Sequence, residues 1–264
     1  MRLVGPLQKM FNEIGDPIRY SLRLGDHLLM MNALIGKNIE VKWLGNHQCF
    51  CGHTVPTVHD RNFCRECFFT RPEASMTIMK PELSQAHLGI EERDLEFEKR
   101  LQLQPHYVYL AKTSEIKVGV TRKTQMPYRW IDQGASEATI LLEVPNRYLA
   151  GEAEVLLKDH FADKTSWQAM LKGTASDADL QEARVRALEA LTPELREYAW
   201  GEYRNWTLKF PLEEHPTKVK SLNLRKEPHW SGQLKGIKGQ YLITDAGVFN
   251  VRSHEGFIVE FGID

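Results

Sequence analysis

Residues 107–122, YVYLAKTSEIKVGVTR, constrain the fold more than any other part of the chain. Two runs rich in β-branched and aromatic residues flank Thr113-Ser114-Glu115, the pattern of a hairpin closed by a three-residue turn. Such a turn sets the register. Lys112 opposes Ile116, Ala111 opposes Lys117, Leu110 opposes Val118, Tyr109 opposes Gly119 and Tyr107 opposes Thr121. Successive side chains on a strand point to opposite faces. One face therefore carries Val108, Leu110, Ile116, Val118 and Val120, an aliphatic surface for a core. The other carries Tyr107, Tyr109, Ala111, Lys117, Gly119 and Thr121. Glycine weakens a strand, and one set opposite a tyrosine marks the close approach of a ligand or neighbouring group.

The hairpin is followed by Pro127, suited to a first helical position, and by Arg129 in YRWIDQGA. A third strand, ATILLEV, comes next. RYLAGEAEVLLKDHF then has helical periodicity, with Leu149, Ala153, Leu156, Leu157 and His160 on its buried stripe. Glu152 and Glu154 flank that stripe, and periodicity does not choose between them. DADLQEARVRALEAL adds a second amphipathic helix, with Leu180, Ala183, Ala187, Leu188 and Leu191 on one side.

The chain has four cysteines, all within residues 49–67. Cys49-Phe-Cys51 is followed, twelve residues on, by Cys64-Arg-Glu-Cys67. The second pair is the spacing that turns two thiolates toward one tetrahedral Zn²⁺. Gly52, just past Cys51, lets backbone N–H groups turn toward sulfur. The first pair is one residue tighter than the usual knuckle, and His47, His53 and His59 are near enough to replace one thiolate. Four protein ligands leave no open position, so the expected metal is a structural zinc that folds a polar segment. A thioredoxin-like redox pair would need a preceding βαβ strand, which NFCRECFF lacks.

Six stretches follow from these patterns. Residues 1–45 and 201–264 are strand-rich and are expected to join in one small barrel-like module built from both termini. Residues 46–70 are the zinc-binding segment, 71–105 a polar, charged linker in which EERDLEFEKR reads as a short helix or a solvated stretch, 106–172 a small α/β core, and 173–200 the amphipathic helix. The fold class is α+β. Lys plus Arg number 34 against 35 Asp plus Glu, which rules out a broadly polycationic surface. Residues 201–240 nevertheless hold eight basic and four acidic side chains, a local excess with Lys218 and Lys220 near its centre. No apolar run approaches membrane-spanning length and no secretory signal is evident, so a cytoplasmic location is expected.

The order Tyr107-Val108-Tyr109, a short turn, Lys117-Val118-Gly119, Thr121, Arg129 and a helical glutamate resembles the core of the GIY-YIG nucleases over about residues 106–165. Tyr109 stands where the motif has the tyrosine of GIY. Lys117 stands where it has the tyrosine of YIG. The resemblance favours Glu154 over Glu152 as the metal-binding glutamate. It implies Mg²⁺-dependent phosphodiester hydrolysis on DNA or RNA. Glu154 would hold the Mg²⁺, Arg129 would stabilise the transition state, Tyr107 and Tyr109 would orient water, and Lys117 would contact phosphate. Past the glutamate, where the family carries a late asparagine, this chain offers Lys164, Ser166 and Trp167. More narrowly, the stretch and its upstream cysteines resemble an uncharacterised bacterial and archaeal family. Relatives there carry further cysteines near residues 80–89. This chain has none, so no second zinc is expected. A non-catalytic, zinc-containing nucleic-acid-binding module on the same fold is the alternative, and a protein-docking scaffold a third reading.

Overall fold

The computed structural model describes residues 1–161, 166–174 and 177–264. The chain divides into two compact units. One comprises Met1–Phe69, Ile131–Gly134 and Lys209–Asp264; the other comprises Thr70–Trp130 and Ala135–Leu208. Among the described residues no helix is long and apolar enough to cross a membrane.

The first unit is built from both ends of the chain. Arg2–Pro6 pairs antiparallel with Phe257–Ile263, which pairs in turn with Asn38–Gln48. His229–Lys238, Tyr241–Thr244, Val248–Asn250 and Ser221–Leu222 extend the sheet, and Thr54–Val55 adds to Asn38–Gln48. Phe11–Glu13, Arg19–Leu24 and His27–Met30 form a separate three-stranded sheet. Along Arg19–Leu24 the buried residues are Tyr20, Leu22 and Leu24, the alternation expected of a half-buried strand. The joining of the termini matches the sequence reading, but the expected barrel does not form. Among the described residues neither sheet closes: the end strands Arg2–Pro6 and Ser221–Leu222 are not paired with each other, and Ser221–Leu222 is only two residues long. Inside this unit the buried Asp132 carboxylate accepts from Asn12 Nδ2 at 2.9 Å, Gln240 Nε2 at 2.8 Å and Lys9 Nζ at 3.0 Å.

The second unit has a four-stranded antiparallel sheet in the order Trp206–Thr207, Glu137–Val144, His106–Lys112, Ile116–Arg122. The hairpin has the register that its three-residue turn dictates, from Lys112 opposite Ile116 to Tyr107 opposite Thr121. Ile116–Arg122 is an edge strand. Val108, Leu110, Ile116 and Val118 pack beneath helix Arg147–Leu157, against Ala150, Ala153 and Leu157, and beneath Leu180–Ala190, against Leu180, Ala183 and Ala187. Both helices are N-capped. Asn146 Oδ1 accepts from Leu149 N at 2.9 Å, and Asp179 Oδ1 accepts from Gln181 N and Glu182 N at 2.7 and 2.9 Å. The first helix ends at Leu157, so the stripe does not reach His160, which is exposed, and Leu156 also faces out.

The opposite sheet face is covered too. Tyr107, Tyr109 and Ala111 pack with Trp130, Ala135, Ala138 and Ile140.

Residues 71–105, read from sequence as a polar linker with a short helix or solvated segment at EERDLEFEKR, fold into four short 3₁₀ turns and helix Leu95–Gln102, which takes the helical alternative. Their burial uses polar side chains. The Glu98 carboxylate accepts from the backbone N–H of Glu92, Arg93 and Asp94 at 3.1, 2.8 and 3.1 Å. The turn Pro81–Leu83 packs directly on helix Arg147–Leu157 at Gly151. A Cβ there would overlap Glu82 N and lie 2.7 Å from the Pro81 carbonyl carbon.

A glycine in a helix interior ordinarily gives way to alanine with a gain of about 1 kcal/mol. Gly151→Ala is expected to reverse that sign and cost roughly 1–3 kcal/mol, the range for overpacking. Urea denaturation measures it, and a stabilised variant would contradict the contact.

Candidate functional site

Two clusters of chemically capable side chains are present, one in each unit. In the first unit, strand Asn38–Gln48 ends where Cys49 and Cys51 begin a turn, and Cys64 and Cys67 bracket the start of helix Arg65–Thr70. Gly52, at φ +88°, adopts the left-handed conformation the tight turn requires. The four Sγ atoms lie within 4.8 Å of one another, so the cluster could hold a metal ion. Four thiolates at about 2.3 Å from a tetrahedral ion would stand about 3.8 Å apart, which fits. Backbone N–H groups point at sulfur: Cys64 N donates to Cys49 Sγ at 3.1 Å, and Cys51 N donates to it at 3.5 Å. Burial pushes the Cys49 thiol up, but these donors outweigh it and bring it down to about 7, toward thiolate. Among the described residues no histidine joins the group. His47 Nδ1 lies 3.3 Å from the Pro56 carbonyl oxygen, and the His59 ring packs on Phe68 and Phe69.

The second cluster lies along the edge strand Ile116–Arg122. Gly119 makes room for Tyr109: a Cβ on Gly119 would sit 2.6 Å from the Tyr109 hydroxyl oxygen. The glycine thus answers a neighbouring ring, and Tyr109 is fully buried, edge-on to Trp130 at 6.0 Å. Lys117, two residues before Gly119 and on the same face, is only 7% exposed. Burial first, and then the Arg129 guanidinium, bring its ammonium down to about 8, while Glu154 acts in the other direction. Glu154 is held above the usual carboxylate range by burial, opposed mainly by Lys158, which lies 4.0 Å away, and reinforced by Glu82. Lys117, Arg129 and Glu154 therefore share one electrostatic neighbourhood.

Tyr107 does not join it. Its hydroxyl is hydrogen-bonded to Lys123 and Glu143, themselves paired at 2.8 Å, and its ring meets Trp200 edge-on. Thr121, opposite Tyr107, is buried at the same end of the hairpin. Ser166 caps helix Trp167–Lys172, its hydroxyl accepting from Ala169 N at 3.4 Å. Lys164 lies outside the described residues.

Three residues of this neighbourhood were not singled out from sequence. Arg147, at the first position of helix Arg147–Leu157, donates to the carbonyl oxygens of Thr77 and Ile78 at 2.9 and 2.8 Å. Burial brings it down to about 10, with Arg122 and Arg129 acting in the same direction and Glu154 and Glu82 against it. Burial also lowers Arg122, at the end of the edge strand. Glu82, on the Pro81–Leu83 turn, has a buried Oε2 without a hydrogen-bond partner. A glycine inside an amphipathic helix was the available clue to Glu82, because it signals a backbone packed against the helix. Among the described residues, none of Lys117, Arg122, Arg129 and Arg147 has a carboxylate at ion-pair distance.

The fold and its clusters define an α+β protein with a four-cysteine site in one unit and a half-buried, cation-rich edge strand in the other. The chain belongs to a family described as a protein of unknown function, DUF2797, whose model matches residues 36–259. No curated protein and no solved structure matches it.

The Lys117 environment predicts an inverse stability effect. The unfolded chain binds this proton up to pH 10.5 and the folded chain only up to about 8. The cost of the buried charge is therefore full below pH 8 and vanishes as pH rises through 10.5. Lys117→Met is expected to stabilise the protein by roughly 3 kcal/mol at pH 7, a gain that shrinks to near zero by the upper pH. Chemical denaturation at three pH values checks the sign.

Proposed function

We propose that the edge-strand cluster of the second unit hydrolyses phosphodiester bonds in nucleic acid, with a core of the GIY-YIG type. One observation carries the reading. Lys117, Arg129, Arg147 and Glu154 act on one another electrostatically, Arg122 acts on Arg147, and none of these cations has a carboxylate at ion-pair distance among the described residues. Buried like charges repel, and a bound anion relieves them. Phosphates of a nucleic acid strand fit that need. Glu154, with Glu82 beside it, would hold a divalent cation of the Mg²⁺ kind. Such an ion, when bound, supplies Lewis-acid neutralisation of phosphoryl oxygen. Arg129, with no carboxylate at ion-pair distance, would stabilise the charge that develops on the phosphoryl oxygens. Tyr109, locked over Gly119, would form the wall that orients the scissile group. Tyr107 stays outside this arrangement, because its hydroxyl serves the Lys123–Glu143 pair.

The cysteine cluster supports a structural zinc. Its four sulfurs leave no open ligand position, and its backbone donors favour thiolate. We expect about one zinc per chain by elemental analysis of unchelated protein. Structural zinc contributes folding free energy on the order of 10 kcal/mol, so Cys64→Ser should lose the zinc and unfold residues 49–67. A zinc-free, fully folded wild type would defeat this assignment.

For the nuclease reading, Glu154→Gln and Arg129→Ala are each expected to lower cleavage by about 10²-fold or more. Branched and single-stranded substrates with Mg²⁺, against an EDTA control, provide the assay. Glu152→Gln should keep wild-type activity, and zinc content should stay constant throughout. A dead Glu152→Gln beside an active Glu154→Gln would move the metal to Glu152. A wild type that binds nucleic acid but cleaves none of the substrates in Mg²⁺ or Mn²⁺ would establish the non-catalytic binding module instead.

A further inference from the structure

We propose that the first unit carries a nucleobase pocket beside the cysteine turn, shaped for the Watson–Crick edge of guanine. The inference does not depend on the hydrolytic reading of the second unit. A cavity of about 330 Å³ is lined by the Cys49–Gly52 turn, by Gln8 just past strand Arg2–Pro6, by Asn62, and by Glu255 and Gly256 just before strand Phe257–Ile263. Its walls are fixed by backbone hydrogen bonds. Leu7 N donates to Phe257 O at 2.8 Å, Gly256 N to Leu7 O at 2.7 Å, Gln48 N to Gly256 O at 2.7 Å and Phe50 N to Asn62 O at 3.2 Å. The polar side chains of the lining are not satisfied in the same way. Among the described residues no hydrogen bond holds the Gln8 amide. Gln48 Nε2 makes one long bond, to Gly52 O at 3.3 Å, and its Oε1 makes none among the described residues. The Glu255 carboxylate accepts only from Lys9 N among the described residues, at 3.5 Å. Asn62 Oδ1 is buried without a partner. Three carboxamides and a carboxylate thus meet at one cavity with unmet hydrogen-bonding capacity, although the backbone around them is paired.

Backbone conformation holds the Asn62 amide in place. Asn62 lies at φ +63° and Gly256 at φ +83°, both in the left-handed region. A Cβ on Gly256 would overlap Asn62 Oδ1, so the glycine is what lets that amide lie across the turn. Phe50 also lines the cavity, is 57% exposed, and rests its ring on Phe63 at 5.3 Å. An exposed aromatic ring is a surface on which a base stacks. The rest of the lining selects the ligand. No lysine or arginine is part of it, so it does not suit a phosphate. A planar heterocycle with donors and acceptors along one edge would use both the ring and the amides. A carboxylate only accepts, whereas a carboxamide donates and accepts. Guanine matches this set. Its N1–H and N2–H₂ are adjacent donors for Glu255, and its O6 accepts from an amide nitrogen. Adenine and cytosine set an acceptor nitrogen beside their amino group, and uracil flanks its one donor with two carbonyls that repel a carboxylate. A free nucleotide and an unpaired base in a strand share this chemistry.

Calorimetric titration of the full chain tests the pocket, first with the four nucleoside monophosphates. Single-stranded oligonucleotides with one guanine in a run of uracil follow, alone and annealed to their complements. Guanosine monophosphate is expected to bind about tenfold or more tightly than the other three, the margin of one charge-assisted hydrogen bond. Tighter binding of the single strand than of the monophosphate assigns the pocket to an unpaired base in a strand, and equal binding assigns it to a free nucleotide. Annealing hides the guanine edge and should abolish the preference. Equal binding of all four bases, or of none, overturns the proposal without any variant. Phe50→Leu removes the stacking ring and should weaken guanine binding roughly 5- to 150-fold. Glu255→Gln should bring guanine to within a few-fold of the other bases. Asn62→Gly keeps the left-handed backbone, deletes the amide, and should weaken binding about tenfold. Metal content and far-UV circular dichroism should match the wild type in all three. Folded variants that bind guanine as the wild type does overturn the site. Cleavage of nucleic acid without guanine binding overturns this proposal alone, and guanine binding without cleavage sustains it while the hydrolytic reading falls.

Discussion

The turn at Thr113-Ser114-Glu115 is the constraint on which the second unit depends. Three residues leave the two strands one register, and that register sorts every side chain of the hairpin between two environments. Val108, Leu110, Ile116 and Val118 go beneath the helices. Tyr109, Gly119 and Lys117 go to the other side, with Trp130. A slip of one residue in the edge strand would drive Lys117 into the aliphatic layer and turn Val118 toward the tyrosine face. The same register sets Gly119 under the Tyr109 ring, so ring and glycine are fixed by one event.

The edge strand carries electrostatic stress that packing alone would not select. Lys117, Arg122 and Arg147 are all drawn away from their charged forms by burial, and Arg129 adds repulsion to the first and last. They are held in place by unrelated contacts. Arg147 is pinned by two carbonyl groups of the Met76–Ile78 turn, and the neighbouring Pro81–Leu83 turn is set by its contact with Gly151. Charges assembled against their own repulsion are characteristic of sites organised for a ligand of opposite sign. In the first unit the comparable organising group is the four-cysteine cluster, where a short segment is turned by backbone donors aimed at Cys49.

Local pattern carried much of this into the sequence. The alternation around the hairpin, the amphipathic helix at Leu180–Ala190 and the cysteine spacing are short-range consequences of residue type. The segment 71–105 was opaque for a physical reason. It is buried through Glu98, Gln102, Ser84 and Thr77, whose hydrogen bonds replace the apolar periodicity that marks a core. Without that periodicity it looks like a solvated linker. Glu82 and Arg147 were missed for the same reason, since their importance comes from partners that sequence spacing does not reveal.

The sequence by itself determined which side chains share a face of the hairpin, because strand geometry has a period of two and the turn has a fixed length. It also determined that four thiols could meet, since their spacings suit two tight turns. Only the tertiary structure decided that the tyrosine face is covered and that Tyr107 is bound to Lys123 and Glu143. It alone decided that the sheet of the first unit stays open. It also decided that Lys117 lies buried with no carboxylate at ion-pair distance, where Arg129 and Glu154 act on it in opposite directions. Such outcomes depend on which distant elements come to rest against one another, and burial and electrostatic neighbourhood arise only from that meeting.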